Sequence, residues 1–85
     1  MSSAKSFSIS ELAKHYEITP RAIRFYEDQG LLTPRRVNGQ RVYNERDFVR
    51  LKLVLRGKRI GFSLAEIKQT LTLYNAHHGS KAQLE

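Results

Sequence analysis

The chain has 85 residues and a formal charge of +7, from 15 lysines and arginines against 8 aspartates and glutamates. This length allows one domain, and it contains no cysteine, which excludes disulfides, thiol chemistry and thiolate metal sites within the chain and fits a reducing cytoplasm. The longest run of large aliphatic residues is Leu53-Val54-Leu55, far short of the roughly 20 residues of a membrane span. We expect no membrane-spanning segment and, from the N-terminal residues, no signal peptide.

The positive charge is concentrated in the middle of the chain. Residues 35–59 hold nine cations and two anions, and nine minus two equals the whole net charge of +7. A local excess of this density favours polyanions. Nucleic acid is the first candidate, an anionic membrane surface is the second, and a solvated basic face is the alternative without a partner.

The first 30 residues predict two helices joined by a short turn. An S-x-x-E capping box that begins at Ser8 predicts a helix over residues 8–15. Thr19 suits the N-cap of a second helix and Pro20 its first position. Gly30 fits the left-handed residue just past the end of that helix. The pattern is typical of a helix-turn-helix.

The second predicted helix has two different faces. Ala22, Ile23 and Tyr26 share one face, which we expect to pack on the first helix. Arginines on the outward face suit a major groove, because a guanidinium forks onto guanine or binds phosphate. An ordinary helical hairpin with solvated arginines is the alternative. The outward face carries Arg21, Arg24, Phe25 and Asp28.

A basic hairpin is predicted directly after the helix-turn-helix. Asn38-Gly39 is a strong signal for a type I′ turn, which needs positive φ at both central residues. We interpret the hairpin as a wing whose arginines reach the phosphate backbone or the minor groove. The alternative is an exposed hairpin that charge protects from aggregation. The predicted register pairs Val37 with Gln40 and Arg36 with Arg41, and Arg35 adds a third flanking arginine.

Two further helices are predicted after the hairpin. A helix over residues 44–59 begins at Asn44, with Asp47 as its capping partner. A second S-x-x-E box begins at Ser63 and predicts a fourth helix over residues 63–74.

Five stretches of sequence follow one another in a recognisable order. They are residues 9–13 (ISELA), 19–27 (TPRAIRFYE), 30–32 (GLL), 38–43 (NGQRVY) and 61–67 (GFSLAEI). In order and spacing, over about residues 7–74, they resemble the N-terminal DNA-binding domain of the MerR (mercury-resistance regulator) family. The resemblance implies a mainly α fold with a small β-hairpin, namely a winged helix-turn-helix plus a second helix pair over residues 1–74.

The resemblance also implies a function. Members of this family are bacterial transcription regulators that bind promoter DNA as homodimers, then bend and untwist an overlong spacer so that RNA polymerase engages both promoter elements. They dimerise through a long C-terminal helix, and effectors bind at its end or beyond it. Most of that helix would follow Glu85, so residues 75–85 are expected to be a polar break and its first residues. The resemblance thus implies a cytoplasmic location and no membrane partner.

The DNA-contacting residues that we expect form three groups. Phe25 stands where the family often has a second tyrosine, and Glu17 stands in the turn where glycine is frequent. The candidates are Thr19, Arg21, Arg24, Phe25 and Tyr26 on the second helix; Arg35, Arg36, Asn38, Arg41 and Tyr43 on the wing; and Arg56, Lys58 and Arg59 on the third helix, where they would contact the DNA backbone.

Other functions have less support in the sequence. Phosphate-cradle loops, nucleophile elbows and H-E-x-x-H are absent, so we expect no enzyme, no cofactor and no metal. His77-His78 is interpreted as part of a solvated terminus. An excisionase-like architectural DNA-binding factor of the same winged fold is the main alternative. A third alternative is an RNA-binding basic module, but this sequence lacks the aromatic sheet surface on which such modules stack bases.

Overall fold

The computed structural model describes residues 5–73. Its chain divides after Lys52 into two compact units, which are described separately. The predicted end of the fourth helix at Tyr74, the boundary after it, the polar break and helix start over 75–85, and His77-His78 lie outside the described residues. In order, the elements are β1 (Ser6–Phe7), α1 (Ile9–Tyr16), α2 (Pro20–Asp28), β2 (Arg35–Val37), β3 (Gln40–Asn44), α3 (Glu45–Ile60) and α4, residues 64–73.

The predicted caps of α1 and α2 are confirmed. The backbone N–H of Glu11 donates to Ser8 Oγ over 3.0 Å, and the N–H of Ser8 donates to Glu11 Oε1 over 2.8 Å. At α2 the N–H of Ala22 donates to Thr19 Oγ1 over 3.1 Å, with Pro20 at the first helical position. These bonds satisfy N–H groups that have no partner within the helix.

The turn between α1 and α2 forms with a non-glycine residue in the left-handed region. Glu17 has φ 57° and ψ 45°. Its N–H donates to the carbonyl oxygen of Lys14 over 3.3 Å, and the N–H of Ile18 donates to that of Ala13 over 3.0 Å. These bonds offset the roughly 1–2 kcal/mol that a side chain costs in this conformation. The helix-turn-helix therefore keeps its short connection.

The predicted hairpin is confirmed in register, and a third strand extends it. β2 and β3 pair Arg36 with Arg41, and the turn residues Asn38 and Gly39 have φ of 52° and 80°. β1, which the sequence analysis did not predict, pairs antiparallel with β3 and gives the order β1-β3-β2. Two residues are too few to show the alternation that identifies a strand.

The core of the first unit lies between the two short helices, the sheet and the first part of α3. Phe48 stacks on Phe7 with ring centroids 4.9 Å apart, and its carbonyl oxygen accepts a hydrogen bond from the Tyr16 hydroxyl over 2.9 Å. Arg50, part of the basic stretch, is buried, and its Nε donates to the carbonyl oxygen of Leu31 over 2.9 Å. The fully buried large residues are Leu12, Ile23, Leu31, Leu32, Tyr43 and Leu51.

The predicted capping pairs of α3 and α4 are also confirmed. Asn44 and Asp47 exchange hydrogen bonds of 3.2 and 2.8 Å. Ser63 and Glu66 do so over 2.8 and 3.1 Å. Gly61, with φ 110°, ends α3.

The second unit packs the end of α3 against α4. Val54, Ile67 and Leu71 are buried there. Gly57 leaves the space that the Ile67 side chain occupies.

Candidate nucleic-acid interface

The two faces of α2 differ as the sequence predicts. Ile23 is fully buried and Tyr26 is 7% exposed. Arg21 and Arg24 are exposed on the other side, and Phe25 is 47% exposed. The face that remains free for a ligand therefore carries two cations and one aromatic ring, with the exposed carboxylate of Asp28 near its end.

Thr19 lies at the start of this helix and is exposed. Its hydroxyl oxygen accepts the hydrogen bond from Ala22 that caps the helix. The hydroxyl hydrogen remains able to donate to a phosphate oxygen, since a hydroxyl is both donor and acceptor.

The wing presents its predicted cations at the surface. Arg35, Arg36 and Asn38 are exposed. Arg36 Nη1 lies 3.4 Å from the carbonyl oxygen of Gly39 across the turn. Such a long contact leaves the guanidinium free to turn toward an anion.

Arg41 and Tyr43 contact the carboxylate of Glu27. Arg41 Nε donates to Glu27 Oε1 and Oε2, each over 3.0 Å, and the Tyr43 hydroxyl donates to Oε2 over 3.1 Å. The ion pair is largely covered, with side-chain exposure of 24% for Arg41 and 14% for Glu27. Burial raises the pKa of Tyr43, the negative charge of Glu27 and the hydrogen bond to it raise that pKa further, and Arg41 opposes the shift.

This geometry separates three residues from the other predicted DNA contacts. Tyr43 is fully buried and Tyr26 nearly so, because both rings belong to the core. Both rings therefore have little surface exposed to solvent in this conformation. Arg41 is partly covered by its pairing with Glu27. Glu27 is the residue of this cluster that the sequence analysis did not single out.

One sequence signal marks Glu27. α2 has no basic residue in its last turn, and Glu27 and Asp28 stand there. Carboxylates are unfavourable at this end of a helix, where the macrodipole is negative. A partly buried acidic residue in the last turn of a helix is therefore expected to have a partner elsewhere in the fold.

In the second unit, Arg56, Lys58 and Arg59 are exposed near the end of α3. Cations there also complement the macrodipole of the helix. The same unit holds a mostly apolar pocket of about 130 Å³. Its lining includes Leu53, Gly57, Ile60, Phe62, Ile67 and Leu71.

Within residues 5–73, no group of three or more histidine, cysteine, aspartate or glutamate residues is arranged to hold a metal ion. In the same part of the chain, every helix is too short or too polar to cross a membrane.

The helix-turn-helix with an exposed basic face, followed by a basic hairpin, defines a winged helix-turn-helix domain. The family model of the MerR HTH family regulatory proteins matches residues 7–73. The chain belongs to this family. The resemblance inferred from the sequence is thereby confirmed.

Relatives of known name agree with this assignment. The HTH-type transcriptional regulator CueR of Salmonella typhi is 40% identical over 70 residues, which cover 80% of this chain and 51% of CueR. The HTH-type transcriptional regulator ZntR of Escherichia coli K12 is 41% identical over 69 residues, which cover 79% of this chain and 49% of ZntR. The chain spans about half the length of the curated relatives it matches.

Two solved structures share the fold. A MerR family transcriptional regulator from Bacillus cereus has a TM-score of 0.69 and 30% identity, covering 94% of this chain and 68% of that one. HiNmlR, a MerR family regulator lacking the sensor domain and bound to promoter DNA, has a TM-score of 0.71 and 26% identity. The match covers 94% of this chain and 74% of the HiNmlR chain.

Proposed function

We propose that this chain is the sequence-specific DNA-binding part of a transcription regulator, with promoter duplex as its ligand. The observation that carries this proposal is the exposed basic face of α2, which presents Arg21 and Arg24 while Ile23 lies in the core. A helix of this kind fits the major groove, where an arginine reads guanine through two hydrogen bonds. The promoter DNA bound by HiNmlR, a protein of the same fold, supports the proposal.

The proposed contacts divide into reading and positioning groups. On α2, Arg24 and Arg21 approach base edges or nearby phosphates, and Phe25 offers an apolar surface of the kind that contacts a thymine methyl. Contacts to phosphate set the register of a protein on the duplex without reading its sequence. In this proposal they come from Thr19, Arg35, Arg36, Asn38, Arg56, Lys58 and Arg59.

We further infer how the longer protein regulates. By its family membership, it binds as a homodimer in the bacterial cytoplasm and bends and untwists promoter DNA for RNA polymerase. Deformation energy then carries part of the specificity. Labelled promoter duplexes with dyes at both ends test the bending: the distance between the dyes should shorten when the full-length protein binds, and an unchanged distance contradicts this mechanism.

DNA binding itself is tested by titration across a salt series. The duplex from upstream of the chain's own gene is compared with a shuffled duplex of equal composition. We expect a clear preference for the upstream duplex; a ratio of about 1000-fold or more is the range of fully specific readout. Equal, steeply salt-dependent affinity for both would contradict sequence reading and favour an architectural DNA-coating factor. Binding to neither duplex would contradict DNA binding altogether.

A further inference from the structure

Glu27 connects the second helix of the helix-turn-helix to the wing. It lies in the last turn of α2, whereas Arg41 and Tyr43 are alternate residues of β3 and so point to the same face of the sheet. One carboxylate accepts hydrogen bonds from both side chains. It therefore connects α2, which is proposed to read bases, to the wing, which is proposed to contact the DNA phosphate backbone.

The position of Glu27 is electrostatically costly without these contacts. A carboxylate at the C-terminal end of a helix opposes the macrodipole. An anion beside a phosphate-binding surface also repels the ligand, and a carboxylate that is only 14% exposed loses hydration. The hydrogen bonds from Arg41 and Tyr43 compensate for these costs and account for an acidic residue at this place.

We propose, on the basis of the proposed function, that Glu27 is a positioning residue that fixes the wing relative to α2 before DNA arrives. A wing held in place loses less conformational freedom on binding, so more of the contact energy appears as affinity. In this arrangement Arg41 acts mainly through Glu27. The freely available wing cations are Arg35 and Arg36.

Replacement of Glu27 by glutamine distinguishes positioning from simple electrostatics. Glu27→Gln makes the chain one unit more positive and keeps the shape of the side chain. If Glu27 only neutralised Arg41, the variant would bind DNA more tightly, because a cation would be released toward the phosphates. If Glu27 positions the wing, the variant binds more weakly despite its added positive charge.

Asp28→Asn is the matched control. Asp28 is the next residue along α2, is exposed on the outward face and undergoes the same change of charge. On the upstream duplex we expect Glu27→Gln to lose about tenfold in affinity. Asp28→Asn only removes a negative charge from the proposed interface, so it should bind as tightly as the wild type or more tightly. We also expect the slope of log affinity against log salt to become shallower by about one to two for Glu27→Gln, since Arg35 and Arg36 no longer engage phosphates.

Two outcomes of these titrations contradict the proposal. One is equal or tighter binding by Glu27→Gln. The other is weaker binding with an unchanged salt slope and a lower melting temperature, which marks a merely destabilised fold. In an Arg41→Gln background, Glu27→Gln should cost little further affinity, because the contact is already lost. A full additional loss would overturn the role of Arg41.

Amide hydrogen exchange without DNA separates this proposal from the proposed function. In Glu27→Gln, amides of β2 and β3 should exchange about tenfold faster while those of α1 keep their rates, because the loss of the contact opens the hairpin locally. Unchanged exchange in the hairpin contradicts the proposal. If no duplex binds the wild-type chain, the proposed function fails, and this exchange measurement still decides whether Glu27 holds the wing.

Discussion

A Cβ atom placed on Gly57 would lie 2.7 Å from Cγ1 and 2.9 Å from Cδ1 of Ile67. Gly57 stands within α3, where glycine is about 1 kcal/mol less favourable than alanine. Ile67 is only 3% exposed and fills the space that a side chain would take. The glycine is explained by the close approach of α4 to α3.

Gly57→Ala should therefore destabilise the chain, although alanine is the better helix former. We expect a loss of about 1–3 kcal/mol in the free energy of unfolding, the range of overpacked cores. Urea denaturation measures this change. In an Ile67→Ala background, where both crowded atoms are gone, the cost of Gly57→Ala should fall or reverse. An equal cost in both backgrounds, or a more stable single variant, contradicts the steric explanation.

Asp47 supports the start of α3 and the chain that precedes the hairpin. Its carboxylate accepts hydrogen bonds from the N–H of Asn44 over 3.2 Å and from that of Thr33 over 3.4 Å, at 3% exposure. Asp47→Ala leaves these donors without their acceptor, and we expect a loss of about 1–3 kcal/mol in unfolding free energy. Glu45→Ala, an exposed acidic residue of the same turn, is the control and should cost less than about 1 kcal/mol. Equal losses would show that helix-dipole charge alone matters.

Tyr43 makes stability depend on pH in the alkaline range. Burial raises its pKa above the ordinary value of 10.0, and the charge of Glu27 adds to the shift. The folded state then holds the phenolic proton more tightly than the unfolded chain. This contribution is fully present below pH 10.0 and is lost as the pH rises beyond it.

Tyr43→Phe should thus lower stability near neutral pH by about 1 kcal/mol, through the lost hydrogen bond to Glu27. Its stability should also decline less steeply than that of the wild type above pH 10. Denaturant midpoints measured from pH 8 to 11 test this, and the comparison cancels the titration of lysines common to both proteins. Parallel curves above pH 10 would contradict a linked proton on Tyr43.

Local signals predicted much of this fold. Each predicted cap, the positive φ at Asn38 and Gly39, and the hairpin register depend on neighbours within about four residues, so sequence spacing is enough to identify them. The burial of Ile23 and the exposure of Arg24 follow from helical periodicity in the same way.

Features that depend on tertiary contacts were not predictable in this way. β1 is recognisable only through its partner β3. The burial of Arg50 depends on the carbonyl of Leu31, 19 residues earlier in the chain. For the candidate site, the exposed faces could be predicted, whereas the pairing of Glu27 with Arg41 spans 14 residues and leaves only the misplaced acidic charge as a sign.

Arg24 should affect sequence reading more than general affinity. Arg24→Ala removes an exposed cation from the outward face of α2. We expect a loss of about 1–3 kcal/mol on the upstream duplex, the value of a bidentate arginine–guanine pair, and a smaller loss on the shuffled duplex. Titration of both duplexes at one salt concentration measures the difference. Arg46 is also exposed but lies outside the proposed contacts, so Arg46→Ala should not change the preference for the upstream duplex over the shuffled one. Equal losses on both duplexes would reduce Arg24 to a phosphate contact.

Arg36 should behave in the opposite way, as a contact that positions the duplex without reading it. It is exposed beside the turn of the wing, and among residues 5–73 its side chain makes one long contact, to the Gly39 carbonyl. Arg36→Ala should weaken binding to the upstream and shuffled duplexes alike and make the slope of log affinity against log salt shallower by about one, since one phosphate contact releases about one counterion. Titrations from low to moderate salt provide the slope. An unchanged slope would remove Arg36 from the interface, and a loss confined to the upstream duplex would make it a base reader.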